Sequence, residues 1–396
     1  MTTSCAAFHS LELFAGAGGL ARGLHEAGFT AEAVAERDRH ACATLLANQS
    51  LLSASGFAFH GADVAHVDYT DYCGRVALLA AGAPCQPFSI AGRHRAMADS
   101  RNLFPEVFRA QRALLPQAVL IENARGLLRP GFADYVRYLE LRLTYPTVEP
   151  QTDWRADLEA LESHAARHTV SDEATTYRVV RRLLNAADYG VPQVRHRVFF
   201  VALRADLGVT WNPPAPTHSR EALLYDQFVV GSYWDRHGLA RPRASRRQIE
   251  EALACHSRLG GALSAWQTVR DAIGDLPDPR VALTPGVPQG HAYQPGARRY
   301  RGHSGSPLDW PSKAIKAGVH GVPGGENMLR HPNGRVRYFT IREAARLQGF
   351  PDAFEFAGAW GEAMRQIGNA VPVSLARAVA HSVRVSLESV NPAITA

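Results

Sequence analysis

Several common signatures are missing from this chain of 396 residues. No apolar stretch approaches the roughly 18 residues that a membrane-spanning helix needs. The initial segment MTTSCAAFHS lacks the basic and apolar regions of a secretory signal. The five cysteines form no CxxC pair and no zinc-type spacing, which indicates free thiols in a reducing compartment. We therefore expect a soluble, cytoplasmic protein with no bound metal and no membrane partner.

A strong charge excess, internal repeats and low-complexity tracts are also missing from the sequence. The formal net charge is +6, a mild basic excess that fits a nucleic-acid partner but is common among enzymes. The composition is 46% hydrophobic, which is enough for a sizeable core, and the length leaves room for two or three domains.

The N-terminal half instead alternates short apolar runs with helical patterns. The apolar runs predict strands at 11–16, 31–36, 57–64, 76–82, 118–123 and 196–203. The helical patterns lie near 19–28, 38–50, 101–115 and 131–144. This alternation is typical of an α/β fold with a mainly parallel sheet, in which ligands bind at the carboxyl ends of the strands.

This rhythm changes along the rest of the chain. Residues 151–175 read as a charged, helical insertion, and the three prolines of WNPPAPTH (211–218) predict a linker. Residues 219–310 show little periodicity and contain many glycines, prolines and arginines. Regular patterning returns in TIREAARLQGF (340–350) and in a terminal helix after Pro372.

A glycine-rich turn, FAGAGGLARGL (14–24), follows the first predicted strand. Glycines there let the backbone turn tightly and approach a ligand, with the N-terminus of the next helix behind it. Glu36, 20 residues after Gly16, ends the second strand, where an acid binds a ribose hydroxyl pair. Asp63 ends the third strand, where a carboxylate accepts from an adenine amino group. Together they favour an adenosine-containing cofactor, without separating NAD or FAD from S-adenosylmethionine.

A cysteine lies in GAPCQPFSIAG (82–92), directly after the apolar run VALLAA. The Cys85 thiolate, at a strand end in a turn bounded by glycine and proline, is a candidate nucleophile. The alternative is a buried, inert cysteine, which this motif alone favours. IEN (121–123) ends the next strand, so we expect Glu122 at the same edge of the sheet. Its alternative is an exposed or helix-capping acid.

The segment QVRHR (193–197) places Gln193, Arg195 and Arg197 at alternating positions, which predicts one strand face. A row of guanidinium groups entering an apolar strand is costly unless an anion or a carbonyl group receives it. The alternative is a solvated sheet edge.

Taken together, these residues resemble the DNA cytosine-5 methyltransferase family, of the bacterial modification-methylase type. The matching blocks occur in the order FAGAGGL (14–20), Glu36, Asp63, GAPCQPFS (82–89), SRNLF (100–104), ENARGLL (122–128), LNAADYGVPQVRHRVFFVA (184–202), RYFTIREAARLQGFPD (337–352) and QIGNAVPVSLA (366–376). The combination is highly specific and spans almost the whole chain outside 205–310. Two positions depart from the pattern: Ala124 replaces the usual valine, and Arg37 stands where an aromatic or aliphatic residue often stacks on adenine.

The resemblance implies a mechanism on these residues. Cys85 would attack carbon 6 of cytosine while Glu122 binds and protonates ring nitrogen 3. Arg197, with Arg195 beside it, would hold the carbonyl group at position 2 and keep Cys85 as thiolate. The target base would flip out of the duplex, because its ring carbons cannot be reached inside the stack. The methyl group would come from S-adenosylmethionine, and the implied fold is the Rossmann-like methyltransferase fold with helices on both faces of the sheet.

The resemblance also implies a cofactor site and a domain order. The implied cofactor contacts are Phe14, Gly16, Gly18, Gly19, Leu20, Glu36, Asp63, Pro84, Leu103, Asn369 and Val371. We expect a catalytic domain at 1–204, a smaller, irregular target-recognition domain at 205–335, and a segment at 336–396 that returns to the catalytic domain. The implied partners are double-stranded DNA and a cognate restriction endonuclease acting on the same site, and we expect a monomer.

Two other function classes would explain part of the sequence. A nicotinamide- or flavin-dependent oxidoreductase would explain the glycine turn and Glu36 but leaves the cysteine, Glu-Asn and arginine motifs unexplained. A catalytically idle DNA-binding module is disfavoured because Cys85, Glu122 and Arg197 are all present. Within the family, an RNA methyltransferase is disfavoured because the long variable region suits the reading of a duplex.

Overall fold

The structure is a computed structural model that describes residues 8–84, 103–170, 173–259, 263–281, 286–301, 303–317 and 327–390. The chain divides into two compact units. The first comprises Met1–Leu184, His196–Pro214 and Ala376–Ala396, and the second comprises Asn185–Arg195 and Ala215–Leu375. Among the described residues, no helix is both long and apolar enough to cross a lipid bilayer.

The strands and helices are numbered in chain order. The strands are β1 His9–Leu13, β2 Thr30–Ala35, β3 Ala58–His60, β4 Leu78–Gly82, β5 Ala118–Ala124, β6 Tyr177–Asn185, β7 Gln193–Val194, β8 His196–Arg204, β9 His218–Ser219, β10 Ser264–Ala265, β11 Ser306–Pro307, β12 Ser312–Lys313, β13 Met328–Arg330 and β14 Val336–Tyr338. The helices are α1 Gly19–Glu26, α2 Arg39–Ala47, α3 Gln49–Leu52, α4 Phe104–Leu114, α5 Ala133–Thr144, α6 Trp154–Arg167, α7 Arg220–Tyr225, α8 Ser232–Arg236, α9 Arg246–Leu259, α10 Val269–Ile273, α11 Ile341–Leu347, α12 Trp360–Asn369 and α13 Val373–Glu388.

The first unit is built on a seven-stranded sheet in the order β3-β2-β1-β4-β5-β8-β6. The five strands from β3 to β5 run parallel, and β8 runs antiparallel to β5. On one face, Leu11 and Leu13 of β1 pack in a core that includes Phe104 of α4 and Tyr135 of α5. On the other face, Glu12 lies in the lining of a small cavity that also includes residues of α1. The predicted α/β fold with a mainly parallel sheet and helices on both faces is confirmed.

All six predicted strands are present, with ends that differ by a few residues from the predicted ones. The third is the shortest of the six, Ala58–His60, and the predicted segment ends instead in a turn that begins at Val64 and is capped by Asp63. The sequence analysis missed β6 at the edge of the sheet. Its sequence, YRVVRRLLN, places arginines within the apolar run, and its middle is exposed, so no buried-strand pattern results.

The charged insertion predicted at 151–175 contains helix α6, which packs against α5. Asp153 caps the helix by accepting from the backbone N–H groups of Arg155 and Ala156. Inside the contact, the buried Arg142 and Asp157 form an ion pair. The ring of Trp154 meets that of Tyr135 edge-on at 5.3 Å between centroids. The insertion is therefore attached to the same hydrophobic core that packs on the sheet, through residues such as Leu161 and Trp154.

The second unit has little regular structure. Within the described ranges it contains two-stranded sheets β9-β10 and β7-β12 and the three-stranded sheet β11-β13-β14, together with the helices from α7 to α12. The Pro-rich segment predicted as a linker has no helix or strand over 211–217. The observed division differs from the predicted boundaries. The second unit resumes at Ala215 rather than at 205 and continues to Leu375, so residues 336–375 belong to it.

From Ala376 onward the terminal helix α13 belongs to the first unit. A Cβ atom on Gly23 of α1 would lie only 2.4 Å from the Cβ of Ala376, so glycine is required for these helices to approach. Trp211, in the segment that follows β8, donates from its indole Nε1 to the Ser382 hydroxyl at 2.8 Å.

Candidate active site and cofactor site

The glycine turn after β1 has an unusual backbone. Phe14, Gly16 and Gly18 all have positive φ angles, of 57°, 56° and 84°. A positive φ is uncommon for a side chain as large as phenylalanine and marks stored strain of the kind found at functional sites. A Cβ at Gly16 would meet no heavy atom within 4 Å, so the backbone there is open to close approach. Gly19 and Leu20, also predicted to contact the cofactor, begin α1 and are buried.

Glu36, at the end of β2, holds this turn from the side. Its Oε2 accepts from the backbone N–H of Gly16 at 2.8 Å. Its Oε1 accepts from the backbone N–H groups of Arg37 and Asp38, each at 2.8 Å. An ionised carboxylate has about four acceptor positions, so one remains for a further donor such as a ribose hydroxyl. The open backbone at Gly16 and this carboxylate fit the ribose end of an adenosine-containing cofactor.

Asp63 follows β3, the neighbour of β2 in the sheet. Its Oδ1 accepts from the Ala65 N–H at 3.2 Å, and its Oδ2 pairs with Arg37 Nη1 at 2.7 Å. The hydrogen bond from Ala65 and the one from the Arg37 guanidinium hold the pKa of Asp63 below its usual value. The structure thus brings Glu36 and Asp63 to the same edge of the sheet, with Arg37 between them.

Glu12 is a buried carboxyl group that the sequence analysis did not single out. It lies on β1 just before the glycine turn and is 2% exposed. Neither of its carboxyl oxygens has a hydrogen-bond partner among the described residues. Burial, and secondly the charge of Glu36, raises the pKa of Glu12 well above its usual value. Its signal in the sequence is an acid between the two leucines of HSLEL, at a buried strand position.

Glu122 and Arg197 form an ion pair at the carboxyl end of β5. Arg197 Nε lies 2.6 Å from Glu122 Oε1, and the two side chains are 17% and 8% exposed. The antiparallel pairing of β5 with β8 creates this contact, because it sets Ala124 opposite Arg197. The sequence analysis did not foresee this contact, which brings Arg197 of QVRHR beside Glu122.

Asn123 is a site residue to which the sequence analysis assigned no role. Its buried Nδ2 donates to the carbonyl oxygen of Ala83 at 3.1 Å. This bond joins the end of β5 to the turn that leads out of β4 toward Cys85. Pro84 is the last described residue of that turn, and Leu103 lies directly before α4. Cys85 itself lies outside the described residues.

The predicted row of Gln193, Arg195 and Arg197 on one strand face is wrong. The strand is interrupted at Arg195, between β7 and β8, and Gln193 and Arg195 belong to the second unit. The buried Arg195 guanidinium donates to the carbonyl oxygens of Ile315, Gly368 and Ala370 at 2.7, 2.6 and 3.2 Å. Its charge is thus received by backbone carbonyl groups.

The remaining sequence motifs of the second unit are tied together by amides. Gln193 Nε2 donates to the Leu347 carbonyl oxygen at 3.0 Å and to Gln348 Oε1 at 3.1 Å. Gln348 Nε2 in turn donates to the Ile367 carbonyl oxygen at 2.6 Å. These bonds order the end of α12, where Asn369 is exposed; Val371 follows it and is buried.

The donor types around the site bear on metal binding. Within the described ranges, no group of three or more His, Cys, Asp or Glu side chains is arranged to hold a metal ion. The described cysteines Cys42 and Cys73 are free thiols.

Comparisons with known proteins identify the family of this chain. The family described as C-5 cytosine-specific DNA methylase matches residues 8–138 and 167–384. The type II methyltransferase M.NgoMIV of Neisseria gonorrhoeae is 31% identical over 391 residues, which cover 97% of this chain and 99% of that protein. The type II methyltransferase M.Eco47II of Escherichia coli is 31% identical over 390 residues, covering 96% and 80%.

Solved structures share the fold at low sequence identity. The S. pombe Dnmt2 methyltransferase superposes with a TM-score of 0.56 at 18% identity, covering 97% of this chain and 99% of that one. The Entamoeba histolytica methyltransferase EhMeth gives 0.56 at 13% identity, covering 97% and 98%. The oxidoreductase alternative shares only the glycine turn and Glu36 with what is observed. The chain therefore belongs to the family of C-5 cytosine-specific DNA methylases, and it is an enzyme that uses S-adenosylmethionine to methylate carbon 5 of cytosine in double-stranded DNA.

Proposed function

We propose that this enzyme recognises a specific DNA sequence, flips one cytosine out of the duplex and attacks it with Cys85. Carbon 5 of cytosine is a poor nucleophile, so electrons must first be added to the ring. A bond from the Cys85 sulfur to carbon 6 does this and makes carbon 5 an enamine nucleophile. Once carbon 5 carries the methyl group, loss of its proton returns the electrons and expels the thiolate.

The ion pair of Glu122 with Arg197 is the observation that carries the proposal. A protonated Glu122 would donate to ring nitrogen 3 of the flipped base as the thiolate adds. Arg197 would then stabilise the carboxylate that remains, because its Nε already lies 2.6 Å from Oε1. Arg197 Nη1 already donates to the His196 carbonyl oxygen at 3.0 Å, so Nη2 is the nitrogen best suited to the carbonyl oxygen at position 2 of the base. Asn123 would hold the backbone leading to Cys85 through its bond to Ala83.

The residues at the ends of β1, β2 and β3 would hold the cofactor. Glu36 would accept from the ribose hydroxyls, Asp63 from the adenine amino group, and the turn around Gly16 would receive the chain between them. The remaining contacts that the family resemblance implies are Phe14, Gly18, Gly19, Leu20, Pro84, Leu103, Asn369 and Val371. S-adenosylmethionine, when bound, supplies an electrophilic methyl group.

Arg195 is better assigned to positioning than to the reaction. Its guanidinium donates to the backbone carbonyl groups of Ile315, Gly368 and Ala370, all within the second unit. We assign target recognition to the second unit, whose irregular, arginine-containing segments suit contacts to phosphates and base edges. We further propose that the enzyme acts in the cytoplasm as a monomer. We also propose a restriction endonuclease of the same specificity as its functional partner, because the similar curated proteins are type II methyltransferases.

A cysteine substitution tests this proposal. Cys85→Ser should abolish methyl transfer while retaining binding of S-adenosylhomocysteine, because the cofactor residues lie at other strand ends. Cys73→Ser is the matched control, since Cys73 is an exposed free thiol in the first unit and should leave turnover unchanged. Cys85→Ser turnover of even a tenth of the wild-type value would mean that the nucleophile is misassigned.

The recognition role has its own test. Replacing residues 219–310 with the corresponding region of a relative of different specificity should transfer the recognised sequence, which bisulfite sequencing of host DNA reads directly. A folded, active chimera that still methylates the original site would contradict the assignment.

A further inference from the structure

We infer that Arg37 is an adenine-recognition residue, which fixes the Asp63 carboxylate as the acceptor for the adenine amino group and covers the ring with its guanidinium. The inference rests on the proposed cofactor site, since it concerns the residue between Glu36 and Asp63. It assigns a function to the position where this chain departs from the usual aromatic or aliphatic residue.

Arg37 lies between the proposed ribose and adenine acceptors. It is the second residue after the end of β2, and Asp63 comes three residues after the end of the adjacent parallel strand β3. The backbone N–H of Glu36 donates to the His60 carbonyl oxygen at 3.1 Å, so the two strand ends stay paired up to this point. Arg37 Nη1 reaches Asp63 Oδ2 at 2.7 Å. The contact therefore joins the proposed ribose and adenine acceptors.

The Asp63 carboxylate keeps acceptor positions for a ligand. One oxygen receives Arg37 and the other receives the Ala65 N–H. An ionised carboxylate offers about four lone-pair positions, so an amino group can still bind while Arg37 stays in place. Asp63 is 34% exposed, which leaves these positions open to a ligand. The hydrogen bonds from Arg37 and Ala65 fix the orientation of the carboxylate, and therefore the direction of its remaining acceptor positions.

The Arg37 guanidinium is anchored at one nitrogen and is otherwise exposed. The side chain is 60% exposed although one of its nitrogens is anchored. A planar guanidinium held at one edge is oriented at little entropic cost and stacks well on an aromatic ring. It thus supplies a flat cover for a purine, in place of an aromatic or aliphatic side chain.

The test measures binding without DNA by calorimetry, using three ligands and four proteins. The ligands are S-adenosylhomocysteine, its analogue without the purine amino group, and its 2′-deoxy analogue. The proteins are the wild type, Arg37→Ala, Arg37→Lys and Arg39→Ala. Arg39 is the control, because it is a nearby exposed arginine at the first position of α2, whose described side-chain bond is to His40.

We expect Arg37→Ala to weaken binding of S-adenosylhomocysteine about tenfold, through loss of stacking and of the anchored acceptor. Arg37→Lys should recover only part of this, since an ammonium group cannot stack. Arg39→Ala should bind as the wild type does. In Arg37→Ala the preference for the ligand with the amino group should shrink, while the preference for the 2′-hydroxyl, read by Glu36, should remain.

A loss of both preferences would mean that Arg37 only orders the loop, and this would overturn the inference. Equal or tighter binding by Arg37→Ala would also overturn it, because Arg37 would then be irrelevant or an obstruction. A different result refutes the proposed cofactor site itself: a wild-type enzyme that binds all three ligands equally, or none of them.

Discussion

Arg197 Nε lies 2.6 Å from Glu122 Oε1, and the two residues are 75 positions apart in the chain. The pair forms because β8 runs antiparallel to β5 and brings its first residues beside the end of that strand. A largely buried charge pair of this kind is costly to break, since either partner alone would remain desolvated. Its position at the end of β5, in the same sheet as the proposed cofactor residues Glu36 and Asp63, makes it the central element of the proposed site.

Glu122→Gln should lower the turnover number by about 10²–10⁴-fold, because an amide cannot supply the proton to ring nitrogen 3. Steady-state methylation assays with saturating DNA and S-adenosylmethionine measure this effect. Glu140→Gln is the matched control, because Glu140 pairs with Arg181 at a partly exposed site, at 3.4 Å. Unchanged turnover in Glu122→Gln would remove Glu122 from the reaction.

Arg195 and Arg197 should respond differently to substitution. Arg195→Ala leaves three carbonyl groups without their donor, so the free energy of unfolding should fall by about 3 kcal/mol or more. Arg197→Lys keeps a positive charge beside Glu122 and should fold, but it loses the planar fork and should lower turnover at least about tenfold. Denaturant unfolding and turnover, measured on both variants, separate the roles. A stable Arg195→Ala enzyme with strongly reduced turnover would contradict this division.

Glu12 should make the stability of the enzyme depend on pH. Because burial raises the pKa of Glu12 in the folded protein, the folded state binds its proton more tightly than the unfolded state. The contribution of Glu12 to the free energy of unfolding has its full value below the unfolded pKa of about 4.3. It is lost as the pH rises through the pKa of Glu12 in the folded protein. The slope from this group is at most about 1.4 kcal/mol per pH unit.

Glu12→Gln removes this titration while preserving the shape of the side chain. The variant should therefore gain stability relative to the wild type as the pH is raised from 5 toward 8, in denaturant unfolding at a series of pH values. Parallel stability curves for the two proteins would show that Glu12 is ionised at no cost in the fold.

The sequence was sufficient for the fold where burial and chemistry agree. Strands such as β4 are apolar along their length, and the acids Glu36 and Asp63 follow β2 and β3, so their shared edge could be anticipated. The edge strand β6 could not, because exposure on the sheet edge permits arginines within it. The terminal residues of each strand were also unpredictable, since caps such as that of Asp63 decide them.

Pairings across the sheet were harder to foresee than the residues that make them. Alternation along QVRHR predicts equivalent positions for Arg195 and Arg197. In the structure the strand is interrupted at Arg195, between β7 and β8, and the two arginines belong to different units. The role of Asn123 depends on a tertiary hydrogen bond to the Ala83 carbonyl oxygen. That of Glu12 depends on burial without a hydrogen-bond partner among the described residues. Neither leaves a periodic signal in the sequence.

Glu36→Ala and Asp63→Ala should each raise the Michaelis constant for S-adenosylmethionine more than they change the affinity for DNA. Each removes a hydrogen bond to a charged acceptor, which contributes about 1.5–3 kcal/mol. Asp68→Ala is the control, because Asp68 also caps a nearby turn, accepting from the Thr70 N–H at 2.9 Å. Equal weakening of DNA and cofactor binding would mean that Glu36 and Asp63 are structural.

The covalent step can be trapped directly. On DNA that carries 5-fluorocytosine at the target position, Cys85 can still add to carbon 6 and carbon 5 can still be methylated. Release then requires loss of a proton from carbon 5, but fluorine occupies that position and cannot leave as a cation. The enzyme should therefore remain bound to the DNA through denaturation, and only when S-adenosylmethionine is present.

Mass spectrometry of this trapped complex is the most direct test of the proposed mechanism. The account predicts a stoichiometric cross-link on the peptide that contains Cys85, and no stable adduct when the cofactor is omitted. A cross-link on Cys42, Cys73 or Cys255, or no cross-link despite normal turnover on ordinary DNA, would contradict it.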